Sequence, residues 1–163
     1  MLYFAYGSNL SFRRLRARAP SAKVKGTFYL PKFDLLFHKR GRDGSGKCDA
    51  FYTGREMDVV HGRVFEISQS DKAALDLCEG LGRGYELKQV EVQGIDNQTC
   101  TAIMYVATNI EHDLLPFCWY RRHVLVGAKE AKFPSNYIEQ KILVTCRRDT
   151  DSNRRETELS LYK

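Results

Sequence analysis

Long apolar runs are missing from this chain. No stretch approaches the ~18 consecutive apolar residues of a membrane-crossing helix. Met1 leads straight into a β-prone segment, with none of the basic and apolar regions of a secretory leader. No membrane partner is expected, and the expected location is the cytoplasm. Cysteine is sparse and scattered: Cys48, Cys78, Cys100, Cys118 and Cys146 form no C-x-x-C pair and no Cys/His grouping. That spacing argues against both a zinc site and a disulfide framework, so free, mostly buried thiols are expected. The histidines His38, His61, His112 and His123 lack an H-x-x-x-H spacing, and no metal is expected. The glycine-rich stretch Gly41–Gly46 does not end in Gly-Lys-Ser/Thr and does not open a helix. It reads as a hairpin loop rather than a phosphate cradle.

Positive charge is present in modest excess, a formal +6. Arg13, Arg14, Arg16 and Arg18 crowd one segment, and Arg147, Arg148, Arg154 and Arg155 crowd the tail. Neither cluster sits in a helix-turn-helix, zinc-finger or RNA-recognition pattern, so both read as solvated faces or patches for anionic partners, and no nucleic acid is expected. The run from Arg147 to Glu156 holds no apolar residue, and residues 147–163 are expected to be a mobile polar extension of a domain spanning 1–146.

A chain of 163 residues with 43% hydrophobic content can bury roughly two thirds of its unfolded surface, which favours one compact domain. Strand patterns dominate. An opening β-prone run is followed by a short basic helix entered at Ser11 and ended by Pro20. Half-buried strands then follow at Lys23–Leu30, Phe33–His38, Cys48–Thr53 and Val59–Ile67. A helix capped by Ser70, with Asp71 in its first turn, runs to Cys78 and stops at Glu79-Gly80. Tyr85–Val92 and Thr99–Ala107 read as two strands joined by a turn over Gly94-Ile95-Asp96-Asn97-Gln98, and helical spacing marks Trp119–Ala131 and the segment entered at Pro134-Ser135. The expected class is α+β, a curled mixed β-barrel with flanking helices.

Two features carry chemistry. Tyr3-Phe4-Ala5-Tyr6 breaks into Gly7-Ser8-Asn9, a turn that is either chosen for its backbone geometry alone or leaves several N–H groups as an anion nest. Glu79 sits where a helix end is partially negative, an unfavourable place for a carboxylate and one that pushes it toward the protonation behaviour of a general acid/base. The plainer alternative is an exposed Glu before a terminating glycine. Cys78 beside it invites a thiol nucleophile with His61 or His123 as base, but a cysteine on the buried face of an amphipathic helix is more often core.

Taken together, Tyr3-Phe4-Ala5-Tyr6-Gly7-Ser8-Asn9-Leu10, Leu75-Asp76-Leu77-Cys78-Glu79-Gly80, Gly84-Tyr85 and Tyr105-Val106-Ala107-Thr108-Asn109 resemble the γ-glutamylcyclotransferase family in order and spacing. So do Tyr120 placed seven residues before Gly127-Ala128-Lys129-Glu130, and Phe133-Pro134 with Tyr137. The resemblance covers about Leu2 to about Leu143. It implies a β-barrel with flanking helices, a possible homodimer, and a cofactor-free reaction in which a small γ-glutamyl compound cyclises to 5-oxoproline and releases an amino acid or amine. By resemblance Glu79 is the catalytic acid/base, while Tyr6, Gly7, Ser8, Asn9, Leu10, Tyr105 and Tyr120 bind substrate, and Tyr85 is structural. A protein that keeps the fold as a non-catalytic binding module is the alternative, and the intact Glu79 disfavours it.

Overall fold

Alternating apolar residues build a barrel here because one face of each strand has somewhere to go. The computed structural model describes residues 1–94, 96 and 98–163. Its strands are β1 (Leu2–Ala5), β2 (Lys23–Pro31), β3 (Phe33–Arg40), β4 (Gly46–Tyr52), β5 (Val59–Glu66), β6 (Tyr85–Gly94) and β7 (Thr99–Ala107). The helices are α1 (Phe12–Arg18), α2 (Gln69–Glu79), α3 (Cys118–Glu130), α4 (Ser135–Tyr137), which runs on as a π-helical turn at Ile138–Ile142, and α5 (Ser152–Ser160). Strands β1-β5-β2-β6-β7 close into a barrel, while β3 and β4 form a separate two-stranded ribbon. The barrel is mixed because β1 meets β7 in parallel at Tyr3↔Ile103 and every other adjacent pair is antiparallel. Together these elements make a single α+β domain of the expected class.

Phe4, Val60, Val64, Val92 and Met104 point inward and are fully buried, in one core with Val124, Ala128 and Ile142 from the helices. A second apolar cluster, with Ala5, Leu15, Phe65, Ile67, Leu75 and Tyr105, seats α1 and α2 against the barrel. Leu75, wholly buried, is worth about 2 kcal/mol of burial, and it fixes the helix that carries Glu79. No described helix is long and apolar enough to cross a membrane.

The structure departs from the sequence reading at four places. The α2 cap is Ser68 rather than Ser70, its side chain accepting from the Asp71 N–H at 3.2 Å, while the Asp71 carboxylate accepts from the Ser21 N–H at 2.7 Å. Cys118 and Cys146 are disulfide-bonded, with Cα atoms 5.1 Å apart. A bridge between Phe117 and Arg147 brings them together, a tertiary contact that cysteine spacing cannot reveal. Of the remaining thiols only Cys48 is buried, and Cys78 is exposed. Finally, part of the polar tail is the helix α5, docked on α3 and α1. Glu158 pairs with Arg14 and His123, Tyr162 with His123, and Asp149 with the Trp119 indole N–H. The turn expected at Gly94–Gln98 includes residues 95 and 97, outside the described residues. The strands flanking it pair from Tyr85↔Ala107 to Gln93↔Thr99.

Candidate active site

The chain leaves β1 into a single 3-10 turn, Ser8–Leu10, closed by the Leu10 N–H donating to the Gly7 carbonyl at 3.0 Å. The first N–H groups of such a turn have no acceptor within it. Helix α3 presses directly on this turn. A Cβ at Gly127 would lie 2.3 Å from the Leu10 backbone carbon, so only glycine permits the approach. Tyr120, two helical turns earlier, is thereby aimed at Gly7, its hydroxyl accepting from the Cys48 N–H at 3.1 Å.

Helix α2 delivers the carboxylate from the other side. It ends with Gly80 at φ 73 and with the N–H groups of Gly80 and Leu81 both returning to the Asp76 carbonyl, the left-handed stop that a glycine supplies cheaply. The Asp76 side chain accepts from the Tyr105 hydroxyl at 2.6 Å and from Lys72 at 2.6 Å. The last turn is thus tied to β7. Asn9 Nδ2 donates to Glu79 Oε1 and to the Tyr3 hydroxyl, each at 3.0 Å, and Arg18 donates to the same Oε1 at 2.9 Å and to Asn9 Oδ1 at 3.0 Å. Charge-assisted bonds of this kind hold a carboxylate in one orientation. Oε2 takes no hydrogen bond from a described residue, which leaves it available to a ligand.

Tyr3, Tyr6, Gly7, Ser8, Asn9, Cys48, Glu79, Tyr85, Tyr105 and Tyr120 enclose a small inner cavity of about 20 Å³. It opens on an outer basin of about 220 Å³ that shares Ser8, Glu79, Tyr85 and Tyr120 with it. Of the residues expected to bind substrate, Tyr6, Gly7, Ser8, Asn9, Tyr105 and Tyr120 are gathered here around Glu79. Leu10 is not: it is wholly buried and packs in the core beneath α3. Tyr6 donates to the Tyr105 carbonyl and Tyr85 to the Cys48 carbonyl, so both hydroxyls also brace the walls. Burial holds the phenols of Tyr3, Tyr6, Tyr85, Tyr105 and Tyr120 well above their ordinary pKa, and they act as neutral donors or acceptors.

Tyr3, Tyr85, Cys48 and Arg18 were not anticipated in this wall. Arg18 carried a signal: it is four residues from Arg14 on a short helix, and that spacing places both on one face. Neither is part of a solvated face, since Arg14 is 6% exposed and Arg18 contacts Glu79. The nucleophile alternative fails on geometry. Cys78 is exposed, and His123 spends its ring nitrogens on Arg14, Glu158 and Tyr162, while His61 packs on Tyr137. Burial pushes the Cys48 thiol up to about 12, so this cavity-lining cysteine is not a thiolate. Among the described residues no His, Cys, Asp and Glu cluster is arranged to hold a metal ion. A larger cavity of about 380 Å³ is bounded by Leu36, Phe37, Leu114, Pro116 and Val144 together with His38, His112, Asp113 and Lys141.

Residues 59–140 match the AIG2-like family, a segment that includes Glu79, Tyr105 and Tyr120. The chain is 33% identical over 147 residues to a γ-glutamylcyclotransferase of Homo sapiens, covering 85% of this chain and 76% of the relative. It is 34% identical over 140 residues to one of Bos taurus, covering 83% and 74%. A solved γ-glutamyl cyclotransferase superposes with a TM-score of 0.86 at 29% identity, covering 98% of each chain. By these measures the chain belongs to the γ-glutamylcyclotransferase family.

Proposed function

We propose that this protein cyclises γ-glutamyl amino acids or amines to 5-oxoproline, with Glu79 as the proton carrier and the Gly7-Ser8-Asn9 turn as the substrate cradle. The observation that carries the reading is the convergence of an oriented carboxylate and a turn with open N–H groups on one tyrosine-walled cavity. In this reading the amino end of the glutamyl part reaches the inner cavity, and the rest of the substrate lies across its mouth in the outer basin. Its α-ammonium meets Glu79 Oε2 and gives up a proton. The freed amine attacks the substrate's own γ-carbonyl carbon, forming the ring C–N bond and placing charge on the carbonyl oxygen, which the N–H groups of the turn stabilise. Collapse breaks the bond to the departing nitrogen, which takes the proton from Glu79 and leaves as a neutral amine, while the ring nitrogen gives its second proton to the regenerated Glu79 carboxylate, from which it passes to solvent, leaving the lactam N–H.

Nucleophile and electrophile belong to one molecule, so the protein's main task is to hold a folded conformer, a contribution that can amount to several kcal/mol. No protein nucleophile and no cofactor are required. Arg18 and Asn9 keep Glu79 from swinging away, and the Tyr105–Asp76 bond keeps the helix end in place. The test is incubation of pure protein with a panel of γ-glutamyl dipeptides and amines, with 5-oxoproline scored by mass. Release from at least one member is expected. No release from any member would favour a binding module that has kept the fold.

A further inference from the structure

The outer basin is unusually rich in cations for a site whose catalytic group is a carboxylate. Arg14, Arg18, Lys39, Arg42 and Lys47 face it against Asp43 and Glu79. Three of the five are already neutralised: Arg18 by Glu79 at 2.9 Å, Lys47 by Asp43 at 2.7 Å, and Arg14 by Glu158 of α5. Lys39 and Arg42 have no carboxylate partner among the described residues. Lys39 is only 7% exposed, and its ammonium lies over the Tyr85 ring at 4.8 Å from the centroid. Tyr85 is a wall shared by the inner cavity and the basin. The Lys39 ammonium makes no hydrogen bond to a described residue and keeps access to the basin, so an anionic ligand can reach it there. Arg42 is exposed at the lip, its guanidinium 3.5 Å from where a Cβ on Gly80 would stand, immediately beside the end of α2.

The loop that carries Arg42 is held in shape. Asp43 Oδ1 accepts from the Ser45 N–H and hydroxyl at 3.0 and 2.9 Å, and the Gly41 N–H donates to the Ser45 carbonyl at 2.8 Å. The Gly41–Gly46 stretch therefore presents Arg42 to the basin from a braced turn. With the substrate's amino end at the inner cavity, the basin is the space for the rest of the molecule, the departing group included, and it carries two positive charges in excess.

We propose that the outer basin is a leaving-group subsite for a dicarboxylic amino acid, so that the preferred substrates are γ-glutamyl-glutamate and γ-glutamyl-aspartate. Lys39 takes the departing residue's α-carboxylate and Arg42 its side-chain carboxylate. Two cations, one inside the basin and one at its lip, suit two carboxylates on one short carbon chain better than a single compact anion. The inference rests on the γ-glutamyl reading above and narrows it to a substrate class.

The experiment compares kcat/KM for γ-glutamyl-glutamate with that for γ-glutamyl-glutamine, which has the same size and one charge fewer. The acid is expected to be favoured about tenfold at low salt, what one charge-assisted hydrogen bond is worth. Raising ionic strength narrows the gap. Arg42→Met brings the ratio toward one. Lys39→Met raises KM for both dipeptides, because both keep the α-carboxylate, whereas Lys39→Arg retains the preference. Lys25→Met, which removes an equal charge on β2, leaves the ratio as in the parent. A ratio near one in the parent protein, or a ratio indifferent to Arg42→Met, overturns the subsite while 5-oxoproline release leaves the γ-glutamyl reading standing. Collapse of the ratio in Lys25→Met also overturns it, by showing general electrostatic attraction instead. Absence of 5-oxoproline from either dipeptide and from neutral γ-glutamyl amino acids overturns both.

Discussion

Replacing Gly7 by valine tests whether the turn after β1 is a ligand cradle or a plain connection. A Cβ on Gly7 would lie 3.0 Å from Cys48 Cβ and 3.4 Å from the Tyr120 hydroxyl oxygen. The first distance is below ordinary van der Waals contact, so Gly7→Ala already requires a shift of a few tenths of an ångström. Valine adds two further methyl groups. They must enter an inner cavity of about 20 Å³, room for about one water, or displace Tyr120 and break its 3.1 Å bond from the Cys48 N–H. Overpacking of this kind costs about 1–3 kcal/mol, a fall in Tm of roughly 2–12 °C for a domain of this size. The protein should therefore stay folded at 20–25 °C, where 5-oxoproline release is assayed. With the cavity occupied, we expect kcat/KM to drop by about a hundredfold, mostly through KM, and Gly7→Ala to fall in between. Ser8→Ala, which leaves the backbone donors untouched, should stay within several-fold of the parent. A folded Gly7→Val protein with the parent's KM and kcat would refute the cradle.

Arg18→Met removes one donor at 2.9 Å from Glu79 and another at 3.0 Å from Asn9; losing bonds worth about 1.5–3 kcal/mol should lower kcat by about ten- to a hundredfold, with partial recovery in Arg18→Lys, and an unimpaired Arg18→Met would remove the arginine from the site. Reducing the Cys118–Cys146 bond opens a loop with a sequence separation of 28, for which chain entropy gives about 3–4 kcal/mol; calorimetry with and without reductant should show a lower Tm, and an unchanged Tm would show the bond to be idle. Burial depresses His123 to about 4, and Glu158 falls to about 2 because its bonds to His123 and Arg14 outweigh its burial. The unfolded chain therefore binds protons before the folded one does. Stability from this coupled pair is complete above about 6.5 and is lost as pH falls from there toward about 2, so denaturant midpoints should decline over that range and decline less in a His123→Gln protein.

The parts legible in the sequence are those whose chemistry is local. The breaking of Tyr3–Tyr6 into Gly7-Ser8-Asn9, the stop of a helix at Glu79-Gly80 and the alternation of Val60, Gly62 and Val64 each follow from backbone preferences a few residues long. The Tyr120–Gly127 spacing was legible as a resemblance, and its physical cause emerges only from the 2.3 Å approach of α3 to Leu10. That same packing removes Leu10 from the cavity. What sequence could not supply is long-range pairing: Arg18 with Glu79 across 61 positions, Arg14 with Glu158 across 144, and Cys118 with Cys146. A tail with no apolar residue from Arg147 to Glu156 reads as mobile, but Trp119 holds Asp149 within that run, and beyond it Arg14 and His123 hold Glu158 and Tyr162 while Leu159 packs against the core. In the basic cluster at 13–18, Arg13 and Arg16 are exposed as expected, whereas Arg14 and Arg18 read as surface because their carboxylate partners lie far along the chain.

The central claim is that Glu79 moves the proton, and Glu79→Gln tests it with little change of shape. The amide oxygen can still accept from Arg18 and Asn9 in place of Oε1, so the cavity and the helix end should persist, and binding of a γ-glutamyl dipeptide should remain measurable by calorimetry. We predict that 5-oxoproline release by the pure, folded variant falls by roughly 10²–10⁴-fold, the range for loss of a general acid/base. Turnover at the parent's rate would contradict the account.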